Sequence, residues 1–333
     1  MTASASAPDG ATLAVGGYRE ITLWDTATGK LKQRLPCAME RTLDLVWIVT
    51  GTDNTPALLA AGGSPGRAGA LWLLDTTGRE PPRRLLQTRD TLHCVAAPAD
   101  GSFAVTAGAT NTLHCLALPG GKTRWEIEAH SDWVMDLALS ADSQWVASAS
   151  RDRTARLLSA EKGEVEATFM AHGAAVTSVL FAGDGQSVYS GSADGEIRNW
   201  NLQGEGNKDT TLKPGRSEIT ALALTGKELL ATLADGRLVP LDLSKRSALA
   251  PLLTSDSRLE IARLWRGGEH EPWMLLAGGL DGRIHRLHLP PPQPPPDKVE
   301  NDDNKPAAED ETAPQPEAPA LPPPLQFIAS PGW

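Results

Sequence analysis

The chain repeats one sequence pattern seven times, and this periodicity constrains the fold more than any other property. Each copy has a short apolar run, small residues, a tight turn and a second alternating apolar run, often followed by aspartate. Alignment of the copies places one bulky apolar residue at a shared position, with spacings of 41 to 50 residues. These residues are Trp24, Leu74, Leu116, Leu158, Trp200, Leu241 and Leu287. Such a period is typical of a closed or stacked array of small units.

Each copy has the pattern of a β-hairpin with one strand before it and one after it. The preceding strand is clearest in VMDLALSADSQ (134–144), where apolar residues alternate before a polar turn. Asp-Gly pairs at 194–195, 235–236 and 281–282 fall between the two central strands, where a tight turn requires a positive φ. Four strands in each of seven copies close into a ring with protected edges. We therefore predict an all-β, seven-bladed β-propeller over residues 1–289.

The fourth and fifth copies carry polar side chains at matching positions. The fifth copy has His172, Ser190, Asp194 and Trp200, and the fourth has His130, Ser148 and Asp152, with Leu158 in place of tryptophan. At these residues the chain resembles the WD40-repeat family. The resemblance implies a hydrogen-bond network inside the blade that joins histidine to aspartate and serine to tryptophan. It also implies a binding platform, and it does not specify the partner.

A narrower resemblance involves LAVGGYREITLWD (13–25) and GGSPGRAG (62–69). These stretches are similar to WD40 regions of bacterial multidomain proteins that also carry a cytochrome c-type module. The chain has no Cys-x-x-Cys-His haem site. The resemblance therefore implies an alternative function, a sensory or structural domain of a bacterial envelope redox assembly. Its partner would then be a c-type haem protein on another polypeptide.

Charge and composition limit which kinds of partner the chain can bind and in which compartment we expect it. The net charge is −10, and no basic stripe is present, which argues against a binder of nucleic-acid phosphates. The three cysteines, Cys37, Cys94 and Cys115, favour a reducing compartment or simple core thiols. No apolar run is long enough for a membrane span, and the first residues lack a secretory pattern. We expect a cytoplasmic location, with the envelope or periplasm as the alternative if an upstream segment is missing.

Three stretches resemble catalytic or ligand-binding motifs without the context that the chemistry needs. Gly62–Gly66 matches G-x-S-x-G, but Pro65 removes an N–H group that an oxyanion hole would use. Gly120–Thr123 resembles a P-loop but lacks its first glycine, and is expected to be a turn. Thr-Leu-His-Cys occurs at 91–94 and 112–115, on strands too far apart for a disulfide. We predict no catalytic, cofactor or metal site, and an enzyme with a site at the propeller mouth is the alternative class.

A possible interface lies in the fourth copy. Trp133 precedes a first strand, where a core role is not required, and Arg151 and Arg153 flank the turn residue Asp152. Tryptophan beside arginine is enriched at the energetic centres of protein interfaces. The alternative is that Trp133 folds onto its own blade and that both arginines are simply solvated.

The last part of the chain changes in composition twice. Residues 290–324 are rich in proline and contain eight acids against two lysines, which predicts a disordered loop or linker. The segment LQFIAS, within 325–333, again has strand character, and the seventh copy lacks a fourth strand. We predict that 325–333 contains the closing strand of the last blade. The alternatives are a docking peptide for another protein and a strand beside residues 3–7.

Overall fold

The protein is an array of antiparallel β-sheets. The computed structural model describes residues 3–51, 55–202, 210–225, 228–265, 273–289 and 325–328, and these ranges contain 29 strands and no helix. The strands form seven sheets, which we number as blades one to seven in chain order. This result confirms the predicted all-β, seven-bladed propeller. In the part of the chain that the structure describes, no helix could cross a membrane.

The strands of the first four blades follow one another along the chain. Blade one contains β1 (Ser4–Ser6), β2 (Thr12–Gly16), β3 (Glu20–Asp25) and β4 (Leu31–Pro36). Blade two contains β5 (Arg41–Thr50), β6 (Thr55–Ser64), β7 (Ala68–Asp75) and β8 (Arg83–Thr88). Blade three contains β9 (Leu92–Ala96), β10 (Phe103–Gly108), β11 (Thr112–Ala117) and β12 (Lys122–Glu128). Blade four contains β13 (Val134–Leu139), β14 (Trp145–Ser150), β15 (Ala155–Ser159) and β16 (Val165–Phe169).

The last three blades differ in their outer strands. Blade five contains β17 (Val176–Phe181), β18 (Ser187–Ser192), β19 (Ile197–Asn201) and β20 (Thr210–Leu212). Blade six contains β21 (Ile219–Thr225), β22 (Glu228–Leu233), β23 (Arg237–Asp242), β24 (Ser247–Ala248) and β25 (Leu253–Thr254). Blade seven contains β26 (Leu259–Trp265), β27 (Met274–Gly279), β28 (Arg283–His288) and β29 (Leu325–Ile328). Both β24 and β25 pair with β23, and Pro251, which lacks an N–H donor, lies between them.

The strand β29 is the fourth strand of blade seven. It pairs antiparallel with β28, with Arg286 opposite Leu325 and Arg283 opposite Ile328. The strand lies within the segment that we expected to close the last blade. Residues 290–324 and 329–333 lie outside the described residues, so the predicted boundaries of the linker and of the closing segment stay predictions.

Buried apolar side chains hold neighbouring blades together. Seven clusters occur, one between each pair of adjacent blades. The cluster between blades one and two, for example, contains Ile21, Leu45 and Leu58, which are almost fully buried. All seven residues that defined the repeat lie in third strands, and five of them are buried. Packing between blades therefore uses the same sequence positions that make the repeat visible.

The antiparallel order divides the loops between two faces of the ring. Each first strand contacts the first strands of its neighbours and lines the central channel. The loops between blades and the turns between second and third strands share one face, which we call the entry face. The remaining turns, between first and second and between third and fourth strands, form the exit face.

Every turn between a second and a third strand contains one residue with positive φ. These residues are Arg19, Gly66, Asn111, Arg153, Gly195, Gly236 and Gly282. The Asp-Gly turns thus have the conformation predicted from the sequence. Glycine adopts it freely, whereas an arginine there pays about 1 kcal/mol because its Cβ approaches the backbone.

Candidate functional site

Trp133 lies at the entry face, beside the mouth of the central channel. Its side chain is 42% exposed. The Arg151 guanidinium carbon lies 5.1 Å from the centre of the indole ring, and the His93 ring meets it edge-on at 5.4 Å. The backbone N–H of Trp133 donates to Asp132 Oδ1 at 2.7 Å. The indole is therefore held in a defined position while a large part of its surface faces solvent.

The two predicted arginines differ in their surroundings. Arg151 Nε lies 3.5 Å from Asp132 Oδ2, and its backbone N–H donates to the Trp133 carbonyl. Arg153 occupies the positive-φ position of the turn, with φ at +71°, and its side chain is exposed. The structure therefore places Arg151 on Trp133, whereas it shows no contact between the Arg153 side chain and either residue.

The entry face also carries most of the exposed large apolar side chains. Among the described residues, seven such side chains are exposed, and four of them lie in entry-face loops or turns. The four are Tyr18, Trp133, Met170 and Leu280. Tyr18 repeats the arrangement at Trp133, because the guanidinium of Arg19 lies 5.6 Å from its ring centre. Among the described residues, the entry face thus carries more exposed large apolar side chains than the exit face and the rim together.

Below the mouth, the central channel encloses a cavity of about 500 Å³. Two aspartates from first strands, Asp44 and Asp136, line it. Each follows a break in strand register, so that its carboxylate turns toward the next blade. Asp44 Oδ2 accepts a hydrogen bond from Val95 N at 2.9 Å, and Asp136 Oδ2 accepts one from Val179 N at 2.9 Å. These carboxylates therefore connect blade two to blade three and blade four to blade five.

Burial changes the acid–base behaviour of groups that line the channel. Desolvation raises the pKa of Asp136 to about 6, and it also raises the pKa of Asp44 against the nearby Arg263 charge. Burial lowers the pKa of His93, whose Nδ1 lies 3.0 Å from the Val134 carbonyl oxygen. Since that oxygen can only accept, Nδ1 carries the proton and donates. The polar atoms of all three side chains are thus used to join blades.

The structure forms the predicted histidine–serine–aspartate contacts inside the fourth blade, and the histidine–serine–tryptophan part of the network inside the fifth. His172 Nε2 lies 2.7 Å from Ser190 Oγ, and Trp200 Nε1 donates to the same Oγ at 2.6 Å. His172 Nδ1 is 3.6 Å from Asp194 Oδ2, too far for a hydrogen bond, so the predicted histidine–aspartate bond of this blade is not formed. In the fourth blade His130 bridges its two partners more tightly, with 2.9 Å to Asp152 Oδ2 and 2.8 Å to Ser148 Oγ.

The hydrogen-bond donors around Asp152 decide which atoms of the fourth-blade network carry protons. Hydrogen bonds from Thr154, Ser131 and His130 outweigh desolvation and hold the pKa of Asp152 at about 2, so this carboxylate only accepts. Nδ1 of His130 must then donate to Asp152, and Ser148 donates to Nε2. Leu158, in the tryptophan position, is fully buried and supplies packing alone.

Comparison with known families agrees with this geometry. Residues 121–159 and 163–201 match the family model described as WD domain, G-beta repeat. These two stretches are thus similar to WD40 repeats. Each match begins near the outer strand of one blade and continues through three strands of the next. Together with the seven blades, the match supports the WD40 propeller family. A comparison with curated proteins finds no match to the chain.

The remaining motifs of this seven-bladed propeller lie in strands and turns of the blades. Gly62–Gly66 spans the end of β6 and the start of the turn to β7, and Gly120–Thr123 joins β11 to β12. Cys94 and Cys115 are buried free thiols on β9 and β11, with β10 between them. Cys37 is also buried and free.

Some residues at the entry face and channel were not singled out from the sequence. Asp44 and Asp136 carry a visible signal, a lone carboxylate inside an alternating apolar strand. Arg67 and Arg89 carry no such sequence signal, because their positions at the entry face depend on how the blade-two hairpin folds. The tip of this hairpin is fixed by Asp90, whose Oδ1 accepts from Gly66 N at 2.9 Å.

Proposed function

We propose that the chain is a non-catalytic protein-interaction scaffold whose partner binds the entry face at Trp133, Arg151 and Arg153. The observation that carries this proposal is the exposed indole of Trp133, held between His93 and Arg151. An aromatic ring that is already ordered loses little conformational entropy on binding. Tryptophan and arginine are also the residues that contribute most at interface centres.

The surroundings of Trp133 support the same proposal. Four of the seven exposed large apolar side chains among the described residues lie at the entry face, in loops of blades one, four and seven. The other three lie at the exit face or the rim. Among the acids that line the channel, Asp44 and Asp136 accept hydrogen bonds from the backbone of neighbouring blades, and Glu218 and Glu260 pair with Arg258. This use favours a structural role over an enzyme site at the mouth. For a redox assembly or a c-type haem partner, the described residues provide no specific support.

The test is quantitative affinity capture from a cell extract with wild-type, Trp133→Ala and Arg151→Ala proteins as baits. Leu31→Ala is the matched control, because Leu31 is similarly exposed but lies at the exit face. We expect both entry-face variants to lose the same captured proteins, which the control retains. Thermal unfolding of each bait checks that the fold is kept. Identical capture by all four proteins would contradict the proposed face.

A further inference from the structure

Three exposed arginines in entry-face loops and turns of blades two to four have no acceptor among the residues that the structure describes. Arg67 lies at the tip of the blade-two hairpin, Arg89 in the loop between blades two and three, and Arg153 in the blade-four turn. No ion pair or side-chain hydrogen bond joins them to a described residue. A guanidinium group offers five N–H donors in a planar fork that fits a carboxylate. These donors are therefore available to a partner.

The aspartates in the same loops are already occupied. Asp90 accepts from Gly66 N and Thr91 N, and Asp132 accepts from its neighbouring backbone and faces Arg151. Asp152 accepts from His130, Ser131 and Thr154. Carboxylates that already accept internal hydrogen bonds have fewer lone pairs left for a partner's donors. The loops thus present guanidinium donors without a described acceptor, beside carboxylates that already accept hydrogen bonds.

Contacts between the loops connect the segments that carry Arg67 and Arg89 to Trp133, and Arg153 follows Arg151 by two residues. The bond from Gly66 N to Asp90 Oδ1 brings the neighbours of Arg67 and Arg89 together. His93 follows Asp90 by three residues and touches the Trp133 ring, which Arg151 covers from blade four. We call this surface the Arg–Trp strip, defined as Arg67, Arg89, Trp133, Arg151 and Arg153.

We propose that the Arg–Trp strip binds an acidic peptide segment of a partner protein, in which carboxylates flank one apolar side chain. This inference rests on the proposed function and adds the chemistry of the partner. The order of groups along the strip specifies the pattern: arginines of blade two, the indole, then arginines of blade four. An apolar side chain packs on Trp133, and carboxylates on either side receive bidentate bonds from the guanidinium groups.

The overall charge separates this partner from a nucleic acid. The chain carries a net charge of −10, so a long, densely charged polyanion is repelled by most of its surface. A short acidic segment contacts the strip alone and leaves the rest of the surface free. Because the groups are exposed, the attraction is screened by salt within about 10 Å at moderate ionic strength.

The chain contains a matched control for Arg153. Arg246, at the exit-face turn of blade six, is also an exposed arginine with positive φ, at +53°. Replacement of either residue by glycine removes one charge and relieves the same kind of backbone strain. The two variants therefore differ in location only. Neither is expected to lower the thermal midpoint.

The experiment measures binding of the full chain to a fluorescent peptide with one leucine between two runs of glutamate. A peptide with glutamine in place of glutamate and an oligothymidylate of equal length are the comparison ligands. We expect binding of the glutamate peptide only, weakened by salt. Arg153→Gly should weaken it by about three- to tenfold, and Arg246→Gly by less than about 1.5-fold. Trp133→Ala should weaken it at least as much as Arg153→Gly.

Three outcomes overturn the inference: equal affinity for the glutamine peptide, equal affinity for the oligothymidylate, or equal losses in the two glycine variants. These failures are separable from failure of the scaffold proposal. If Trp133→Ala abolishes capture from the extract while the acidic peptide does not bind, the entry face is an interface for a partner of different chemistry. If capture is unchanged by Trp133→Ala but the peptide binds through Arg153, the strip recognises acids and the proposed capture site is wrong.

Discussion

Arg263 Nη2 lies 3.2 Å from Asp44 Oδ1, which joins a side chain of blade seven to one of blade two. The same guanidinium donates from Nε to the carbonyl oxygen of Ser4 in blade one, at 3.3 Å. One residue thus bridges three blades on the channel wall. The apolar cluster between blades seven and one contains only Leu13, Val15, Leu276 and Ile284 as buried members among the described residues. Polar contacts therefore supplement a small apolar seam.

We predict that Arg263→Ala destabilises the fold by about 1–3 kcal/mol, because it leaves a buried carboxylate with backbone donors alone. Arg34→Ala is the control, since Arg34 pairs with Glu20 at the surface and should cost less than about 1 kcal/mol. The measurement is urea unfolding followed by tryptophan fluorescence. Equal changes in the two variants would show that the contact across the seam adds no more stability than a surface ion pair does.

A second prediction compares two serines. Ser190→Ala leaves two buried partners unsatisfied, His172 Nε2 and Trp200 Nε1, whereas Ser148→Ala leaves only His130 Nε2. Each orphaned buried group costs about 1–3 kcal/mol. We expect Ser190→Ala to be the more destabilising by at least about 1 kcal/mol in the same unfolding assay. The reverse order would mean that the tryptophan bond is not a stabilising contact.

The pH dependence of stability tests Asp136. Its pKa, raised by burial to about 6 from 3.8, means that the folded state binds the proton more tightly than the unfolded chain does. The resulting stabilisation is complete below 3.8 and is lost as pH rises through about 6. We expect the free energy of unfolding of wild type, relative to Asp136→Asn, to fall between about pH 4 and pH 7.

The histidines require the comparison with Asp136→Asn. Burial lowers the pKa of His93, His130 and His172, so their contribution falls as pH decreases, opposite to that of Asp136. All three are present in both proteins, and their contributions cancel in the difference. A difference that is constant with pH would contradict the raised pKa of Asp136.

The cysteines should be unreactive in the folded protein. Burial raises the pKa of Cys37, raises that of Cys94 well above its ordinary value, and raises that of Cys115 to about 11. Little thiolate is present near neutral pH, and thiolate is the reactive form. We expect a disulfide reagent to label none of the three thiols in the native protein and all three in urea. Rapid labelling of any native thiol would show local opening of its blade.

The blades could be predicted from the sequence because each one is specified by residues that lie close together in the chain. The shared residues from Trp24 to Leu287 and the Asp-Gly turns need only the spacing of one hairpin. The contacts of Asp44 and Asp136 could not be predicted, since their acceptor geometry arises only when two blades meet.

The candidate site shows the same division. Trp133 and Arg151 were selected by residue type and loop position, and the structure brings them together. The segments that carry Arg67 and Arg89 are joined by the hydrogen bond from Gly66 N to Asp90 Oδ1, between residues that are 24 positions apart in the chain. Whether an arginine side chain has an acidic partner depends on all the loops that surround it in the fold. The sequence around the arginine therefore does not predict it.

The position of Leu325–Ile328 has a consequence for the order of events on the ribosome. Every strand of blades one to six lies between residues 4 and 254, so each of these blades can assemble as soon as its own stretch emerges. Blade seven is complete only after Leu325–Ile328 have been synthesised, because this strand pairs with β28, which ends at His288. Only after Arg263 has been synthesised can its side chain reach Ser4 and Asp44. Ring closure therefore requires Arg263 and Leu325–Ile328, which are synthesised well after the strands of blades one and two that Arg263 contacts.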